Sequence, residues 1–98
     1  MRTIPKEWRN ISKVYTALGD EHRQRILLTF DRGEELNVGA IAAVSTLSRP
    51  AVSHHLKILH QAGVLEREKR GKETWYRVDR AALVAALETV LAFVKEHA

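Results

Sequence analysis

The sequence predicts a mainly α-helical fold with one β-hairpin, in the order α-α-α-α-β-β-α. Apolar residues recur at helical spacing through most of the chain, while the two short runs 64–69 and 73–78 are typical of strands. Gly71 lies between these runs, where it can supply the positive φ that a tight hairpin turn needs. The 98 residues form one domain, residues 1–98, because two domains would each have too little core.

Two amphipathic helices are predicted in the first third of the chain. Apolar residues at helical spacing place the first helix at residues 5–18, and Gly19 ends it. Asp20 is a good N-cap for a second helix at about 21–31, which Gly33 stops.

A helix-turn-helix is predicted at about residues 37–62. Asn37 caps a short third helix, 38–44, and a turn of about four residues follows it. Ser48 caps a fourth helix with one buried apolar stripe, and Gly63 ends that helix.

The hairpin at about 64–78 follows directly, so the order of elements is that of a winged helix-turn-helix, with the hairpin as the wing. Asp79 opens a last helix at about 80–97. Its apolar residues cover more than one face, and a domain of this size needs only one for its own core. The surplus predicts a second surface, most simply one that binds a second copy of the chain.

The positive charge is concentrated in one third of the chain. Formal net charge is +4, and residues 49–80 carry eight Lys or Arg against four Asp or Glu. Such a run can be a solvated face or can bind an anionic partner. Outward positions of the fourth helix are mostly donors with no acid among them, as a helix in the major groove requires. They are Arg49, Ser53, His54, Lys57 and His60.

The wing adds basic residues that could clamp the phosphate backbone or reach the minor groove. They are Arg67, Lys69, Arg70, Lys72 and Arg77. Lys57 and Lys72 are either phosphate contacts or surface solubility charges. His55 borders the buried stripe, so a structural hydrogen bond is favoured for it, whereas His54 favours DNA contact and His60 favours simple solvation.

Three segments resemble a known family. The segment LSRPAVSHHLKIL at residues 47–59, followed by AGVL at 62–65, resembles the recognition segment of ArsR/SmtB winged-helix regulators. The segment ALGDEHRQRIL at residues 17–27 is similar to that family's opening pattern, and WYRV at 75–78 after a glycine matches its wing. Within the recognition segment, SRP and SHHL look closest to the SdpR-like autorepressor branch.

The resemblance implies a homodimeric repressor that binds a double-stranded DNA operator with inverted half-sites, spaced by one or more turns of about 10 bp. It also implies dimer contacts from the first and last helices, at about 5–18 and 80–97. The predicted interface residues are Trp8, Ile11, Tyr15, Leu87, Val90, Leu91 and Val94. By the same resemblance, Ser48, Arg49, Ser53 and His54 read base edges and phosphates in the major groove.

The chain departs from the family's metal sensors. Those sensors often carry cysteines in the third helix, where this chain has Asn37 and Gly39, and the sequence contains no cysteine at all. On the last helix, Asp79 and His97 are 18 residues apart, which is about 27 Å at a rise of about 1.5 Å per residue. We predict no metal site and no cofactor.

The sequence also admits function classes other than repression. A repressor that senses a metal or small ligand through non-cysteine residues is one alternative. A winged-helix protein-interaction module is another, although the acid-free fourth helix argues against it. No enzyme is predicted, because the sequence has no Gly-rich phosphate loop, no HExxH pattern and no cysteine nucleophile.

The location of the protein is predicted from its apolar runs. None approaches the roughly 18 residues of a membrane helix, and the N-terminus lacks a signal peptide's apolar core. We therefore expect a cytoplasmic protein without membrane insertion. An unidentified inducer or sequestering protein stays open as a further partner.

Overall fold

The computed structural model of the protein describes residues 2–98. These residues form five α-helices, one 3-10 helix and three strands. In chain order they are the 3-10 helix Lys6–Trp8, α1 Ile11–Leu18, α2 Glu21–Thr29, β1 Leu36–Asn37, α3 Val38–Val44, α4 Arg49–Gln61, β2 Leu65–Arg70, β3 Glu73–Val78 and α5 Arg80–His97. Helices α3 and α4 form the predicted helix-turn-helix, and β2 and β3 form the wing, so the predicted fold class is confirmed.

The helix starts follow from side-chain caps. Asp20, Asn37, Ser48 and Asp79 precede α2, α3, α4 and α5, and each accepts a hydrogen bond from a backbone N–H in the first helical turn. A helix leaves its first N–H groups without intrahelical partners, so such a cap defines where it begins. At the other end of α4, Gly63 adopts φ 82°, which ends the helix.

The sheet contains one strand that the sequence does not predict. Its order is β1-β3-β2, and all pairs are antiparallel. The short strand β1 pairs Leu36 with Tyr76 and Asn37 with Trp75. Two residues are too few to show the alternation by which strands are recognised in sequence. In the hairpin itself Gly71 has φ 62°, as predicted for the wing turn.

The predicted first helix, 5–18, is interrupted. The N–H of Arg9 donates to the carbonyl of Lys6 at 3.3 Å, which is a 3-10 bond, and α1 begins only at Ile11. The intervening Asn10 has poor helix propensity and its side chain makes no cap bond. Helix α2 also ends earlier than predicted, at Thr29, because Phe30 turns to an extended backbone and packs against the core.

The core joins the four N-terminal helices to the base of the wing. Its fully buried large side chains are Ile41, Val52, Leu56, Leu59, Val64 and Leu65. Three of them belong to α4, so this helix is fixed by its inner side while its opposite side faces outward.

Helix α5 packs against the edge of this core and has no buried residue. The radius of gyration is 14.9 Å, larger than the about 13 Å of a compact domain of this length. Leu83 and Ala86 pack against the core, and Phe93 contacts Trp8 edge to face at 5.7 Å. Trp8 therefore already packs within its own chain, and Ile11 is only 9% exposed, which leaves it almost no surface for a partner. Of the other predicted interface residues, Val90 is partly exposed and four are exposed: Tyr15, Leu87, Leu91 and Val94.

Candidate nucleic-acid interface

The N-terminal end of α4 and the tip of the wing border one groove. Arg49, Pro50 and Ser53 of α4 line it from one side, and Lys72 and Thr74 line it from the other. We call this the recognition groove; its volume is about 330 Å³. Three of its lining residues, Arg49, Ser53 and Lys72, come from separate segments and were all predicted to contact DNA.

The Arg49 guanidinium lies over the first turn of α3. Its Nη1 is 3.6 Å from the position that a Cβ would occupy at Gly39. Within residues 2–98 Arg49 forms no ion pair. Its guanidinium therefore keeps its N–H donors available, and these suit guanine O6 and N7 or a phosphate.

The opposite wall of the groove is tied to α3. Asn37 Nδ2 donates a hydrogen bond to the Glu73 carboxylate, which lines the recognition groove beside Lys72. Asn37 Oδ1 at the same time accepts from the N–H of Ala40 at 2.8 Å. One side chain thus both caps α3 and holds the first residue of β3, and this fixes the wing against the helix-turn-helix.

All ten residues predicted to contact DNA are exposed, so none of them is committed to the core. They are Ser48, Arg49, Ser53, His54, Lys57, Arg67, Lys69, Arg70, Lys72 and Arg77. Ser48 also has a structural role, because its Oγ accepts the cap hydrogen bond from the Ala51 N–H at 3.3 Å.

The strand register gives the wing two different faces. Arg67 and Lys69 lie opposite Tyr76 and Thr74, on the face whose base packs into the core. The other face carries three glutamates, two arginines and one tryptophan. It comprises Glu66, Glu68, Arg70, Glu73, Trp75 and Arg77.

Arg70 is engaged within the protein. Its Nη2 donates to a Glu68 carboxylate oxygen at 2.9 Å and also to Glu35, and its guanidinium lies 5.5 Å from the centre of the Trp75 ring. The hydrogen bonds to Glu68 and then to Glu35 raise the pKa of Arg70, and the same contact with Arg70 lowers the pKa of Glu68. Arg70 therefore holds the wing to the loop before β1.

Arg77 is paired in the same way. Its Nε donates to Glu66 at 2.5 Å, and this hydrogen bond raises the pKa of Arg77. In contrast, Arg67, Lys69 and Lys72 form no ion pair within the part of the chain that the structure describes. These three cations are the wing residues whose charge is not already neutralised.

The histidines of α4 differ from one another. The Nδ1 of His55 lies 3.3 Å from Arg23 Nη1, which confirms the predicted structural hydrogen bond. The predicted solvation of His60 is wrong, because its Nδ1 is buried and has no hydrogen-bond partner within residues 2–98. Burial lowers the pKa of His60, and the nearby Arg67 lowers it further.

Sequence reasoning missed Arg23, which contacts both α1 and α4. A usable signal existed, because Arg23 shares the inward side of α2 with Ile26, Leu27 and Phe30 at spacings of three, four and seven. A charged residue on the inward side of a helix needs polar partners.

The described residues offer neither a cluster of metal ligands nor a membrane-spanning helix. No three or more His, Asp or Glu side chains within residues 2–98 are grouped so that they could hold a metal ion. Among the same residues, no helix has the length and apolar character needed to cross a membrane.

The helix-turn-helix, the donor-rich outer side of α4 and the adjoining basic wing define the winged helix-turn-helix class of DNA-binding proteins. The chain belongs to the arsR family of bacterial regulatory proteins, whose model matches residues 20–67. This range begins at the N-cap of α2 and includes the whole helix-turn-helix. The resemblance drawn from the sequence is confirmed.

Individual relatives agree with this assignment. The chain is 30% identical to the transcriptional repressor SdpR of Bacillus subtilis over 86 aligned residues. This alignment covers 88% of this chain and 94% of the relative. An ArsR-like transcriptional regulator from Rhodococcus sp. RHA1 superimposes with a TM-score of 0.80 at 30% identity, over 91% of this chain and 81% of that one. The homodimeric winged helix-turn-helix DNA-binding domain Mb0332 from Mycobacterium bovis gives a TM-score of 0.70 at 26% identity, over 100% and 96% of the two chains.

Proposed function

We propose that the protein is a cytoplasmic transcriptional repressor that binds an operator as a homodimer, with α4 in the major groove and the wing along the phosphate backbone. The observation that carries this proposal is the recognition groove, where Arg49, Ser53 and Lys72 converge from α4 and the wing. Family membership and the similarity to the repressor SdpR support the same function.

The outer side of α5 supports the dimer. Val84, Leu87, Leu91 and Val94 are each between 40% and 51% exposed. We call these four residues the α5 stripe; their spacing of three, four and three is that of a seam between two packed helices. The homodimeric state of the similar Mycobacterium bovis domain supports the same assembly.

The symmetry of a dimer determines the form of the operator. Two copies related by a two-fold axis present two α4 helices in opposite directions, so the preferred DNA is an inverted repeat. Its half-sites are spaced by one or more turns, each of about 10 bp.

Selection of bound DNA from a random pool with the full chain tests this function. We expect an enriched inverted repeat, and binding to it that weakens steeply as salt is raised, because phosphate contacts release counterions. A pool without any enriched sequence after repeated rounds would contradict sequence-specific binding, and an enriched single half-site would contradict the dimeric mode.

The two kinds of wing cation should behave differently in that assay. For Lys72→Ala we expect binding to weaken by about the same factor for every DNA sequence. The slope of log affinity against log salt concentration should become smaller by about 0.9 per lost phosphate contact, or about 1.8 per dimer. For Arg70→Ala we expect the salt slope to change by less than half as much, because Arg70 is already neutralised by Glu35 and Glu68. Equal changes in the two slopes would show that Arg70 leaves its carboxylates to contact DNA.

A further inference from the structure

Arg23 closes the C-terminal end of α1. Its Nε donates to the carbonyl of Ala17 at 2.7 Å, and its Nη2 donates to the carbonyl of Thr16 at 3.2 Å. The last carbonyls of a helix lack intrahelical partners, so a guanidinium placed there satisfies them and suits the helix dipole. The side chain of Arg23 is only 12% exposed, which means that it is built into the junction between helices.

The same guanidinium reaches α4. Its Nη1 lies 3.3 Å from Nδ1 of His55. A guanidinium has only donors, so Nδ1 must accept with its lone pair, and the proton of the neutral imidazole must then lie on Nε2. An imidazolium has a proton on both nitrogens and could not accept this bond.

We propose that Arg23 and His55 form a positioning pair that sets α4 on the end of α1, and that the pair exists only while His55 is neutral. The inference rests on the DNA-binding function proposed above. Because α4 carries Arg49 and Ser53 into the recognition groove, the pair would control how these side chains are presented to DNA.

The surroundings of His55 determine how it responds to acid. Asp20 is the carboxylate that faces it, whereas Arg23, His22 and His54 are its basic neighbours. The rings of His22 and His54 lie 5.8 Å and 5.9 Å from the His55 ring. Burial lowers the pKa of His55, Asp20 opposes this effect, and the three basic neighbours reinforce it.

The sign of the pH effect follows from that direction. The folded protein resists protonation of His55 more than the unfolded chain does, whose histidine pKa is about 6.5. The stabilising contribution is therefore complete above about pH 6.5 and is lost as pH falls toward the lower pKa of the folded state. Acid should separate α4 from Arg23, because the protonated His55 imidazolium and the Arg23 guanidinium repel each other.

The proposal is tested with His55→Asn, since the Asn Oδ1 occupies nearly the position of Nδ1 and accepts a hydrogen bond without titrating. Binding to the selected operator is measured from about pH 8 to about pH 5.5 at constant ionic strength. Near pH 8 we expect wild type and variant to agree within about twofold, because both accept the bond. As the pH falls below about 6.5 we expect the wild type to bind progressively more weakly than the variant, by at least about fivefold once His55 is protonated, because only the wild type loses a bond to a charged group.

The matched control is His97→Asn, which makes the same substitution at an exposed position at the end of α5, outside α4 and the recognition groove. It leaves both the pair and the groove intact, so its affinity relative to wild type should not change with pH. A His55→Asn to wild-type ratio that does not change with pH would overturn the proposal.

Two measurements without DNA separate this inference from the proposed function. Nitrogen-15 spectra of the histidine rings should show His55 with Nδ1 unprotonated and Nε2 protonated at neutral pH, and the opposite tautomer would overturn the pair. The free energy of unfolding should decline below about pH 6.5 more in the wild type than in His55→Asn; parallel declines would also overturn it. If no variant binds DNA near pH 8, the proposed function fails while these two measurements still decide the pair.

Discussion

Replacing Leu91 with Asp is expected to convert the protein from a dimer to a monomer and to abolish specific binding to the operator. Leu91 is 51% exposed at the middle of the α5 stripe, between Leu87 and Val94. In a two-fold dimer each substitution occurs twice, so two carboxylates would enter one apolar seam. Burying even one unpaired carboxylate costs several kcal/mol, which is enough to separate helices joined by a few apolar side chains.

The loss of DNA binding follows from the loss of the second α4. When one rigid dimer binds two half-sites, the second contact is intramolecular and raises the overall affinity. A monomer binds a single half-site and lacks this gain. We expect operator affinity to fall by at least about a hundredfold, the lower range of such coupling. The residual binding should show about half the salt slope, because about half the phosphate contacts remain.

The molar mass from sedimentation or light scattering measures the oligomeric state, and circular dichroism reports whether the helices persist. Leu28→Asp is a matched control, because Leu28 is 82% exposed on α2 and lies outside the α5 stripe. It makes the same chemical change and should leave the dimer intact. A Leu91→Asp protein that remains dimeric would place the interface elsewhere.

The sequence shows that α5 has too many apolar residues for one core, but it does not show which of them contact the core and which remain exposed. In the structure, Leu83, Ala86 and Phe93 contact their own chain, whereas Leu87 and Leu91 remain exposed. Helical periodicity specifies which residues share a side, but which side meets the core depends on how α5 leaves β3. That angle is a property of the packed domain, and no local pattern encodes it.

The helix-turn-helix was predictable because its signals are local. A cap such as Ser48, a terminator such as Gly63 and an apolar stripe all act within a few residues of where they lie. The outward side of α4 follows once the buried stripe is known, so the exposed positions of Arg49 and Ser53 could be derived from spacing alone.

The contacts that position the wing were not predictable in this way. Arg70 and Glu35 are 35 residues apart in the chain, and Asn37 and Glu73 are 36 apart. Sequence alone shows Arg70 as one more wing cation available to phosphate, whereas the folded chain pairs it with two carboxylates. The neutralised cations and the free ones become distinguishable only when the register of β2 and β3 and the position of β1 are known.

Arg49→Ala is expected to have the largest effect of any single change in the recognition groove. A side chain that reads guanine with two hydrogen bonds contributes about 1–3 kcal/mol of discrimination, which is roughly a fivefold to 150-fold loss for each half-site. Arg49 suits this role because its guanidinium lies beside Gly39 at the mouth of the groove and forms no ion pair within residues 2–98. The substitution should therefore weaken binding to the selected operator much more than binding to a scrambled duplex.

Two variants identify the origin of that loss. Arg49→Lys keeps the positive charge but lacks the planar pair of donors, so it should recover binding to the scrambled duplex without recovering preference for the operator. Arg32→Ala removes an exposed arginine from the loop after α2, outside the recognition groove, and should leave the operator preference unchanged. Competition between the operator and the scrambled duplex at one salt concentration measures all three variants. If Arg49→Ala weakens binding to both duplexes equally, then Arg49 contacts phosphate, and the base-reading role falls to Ser53 or His54.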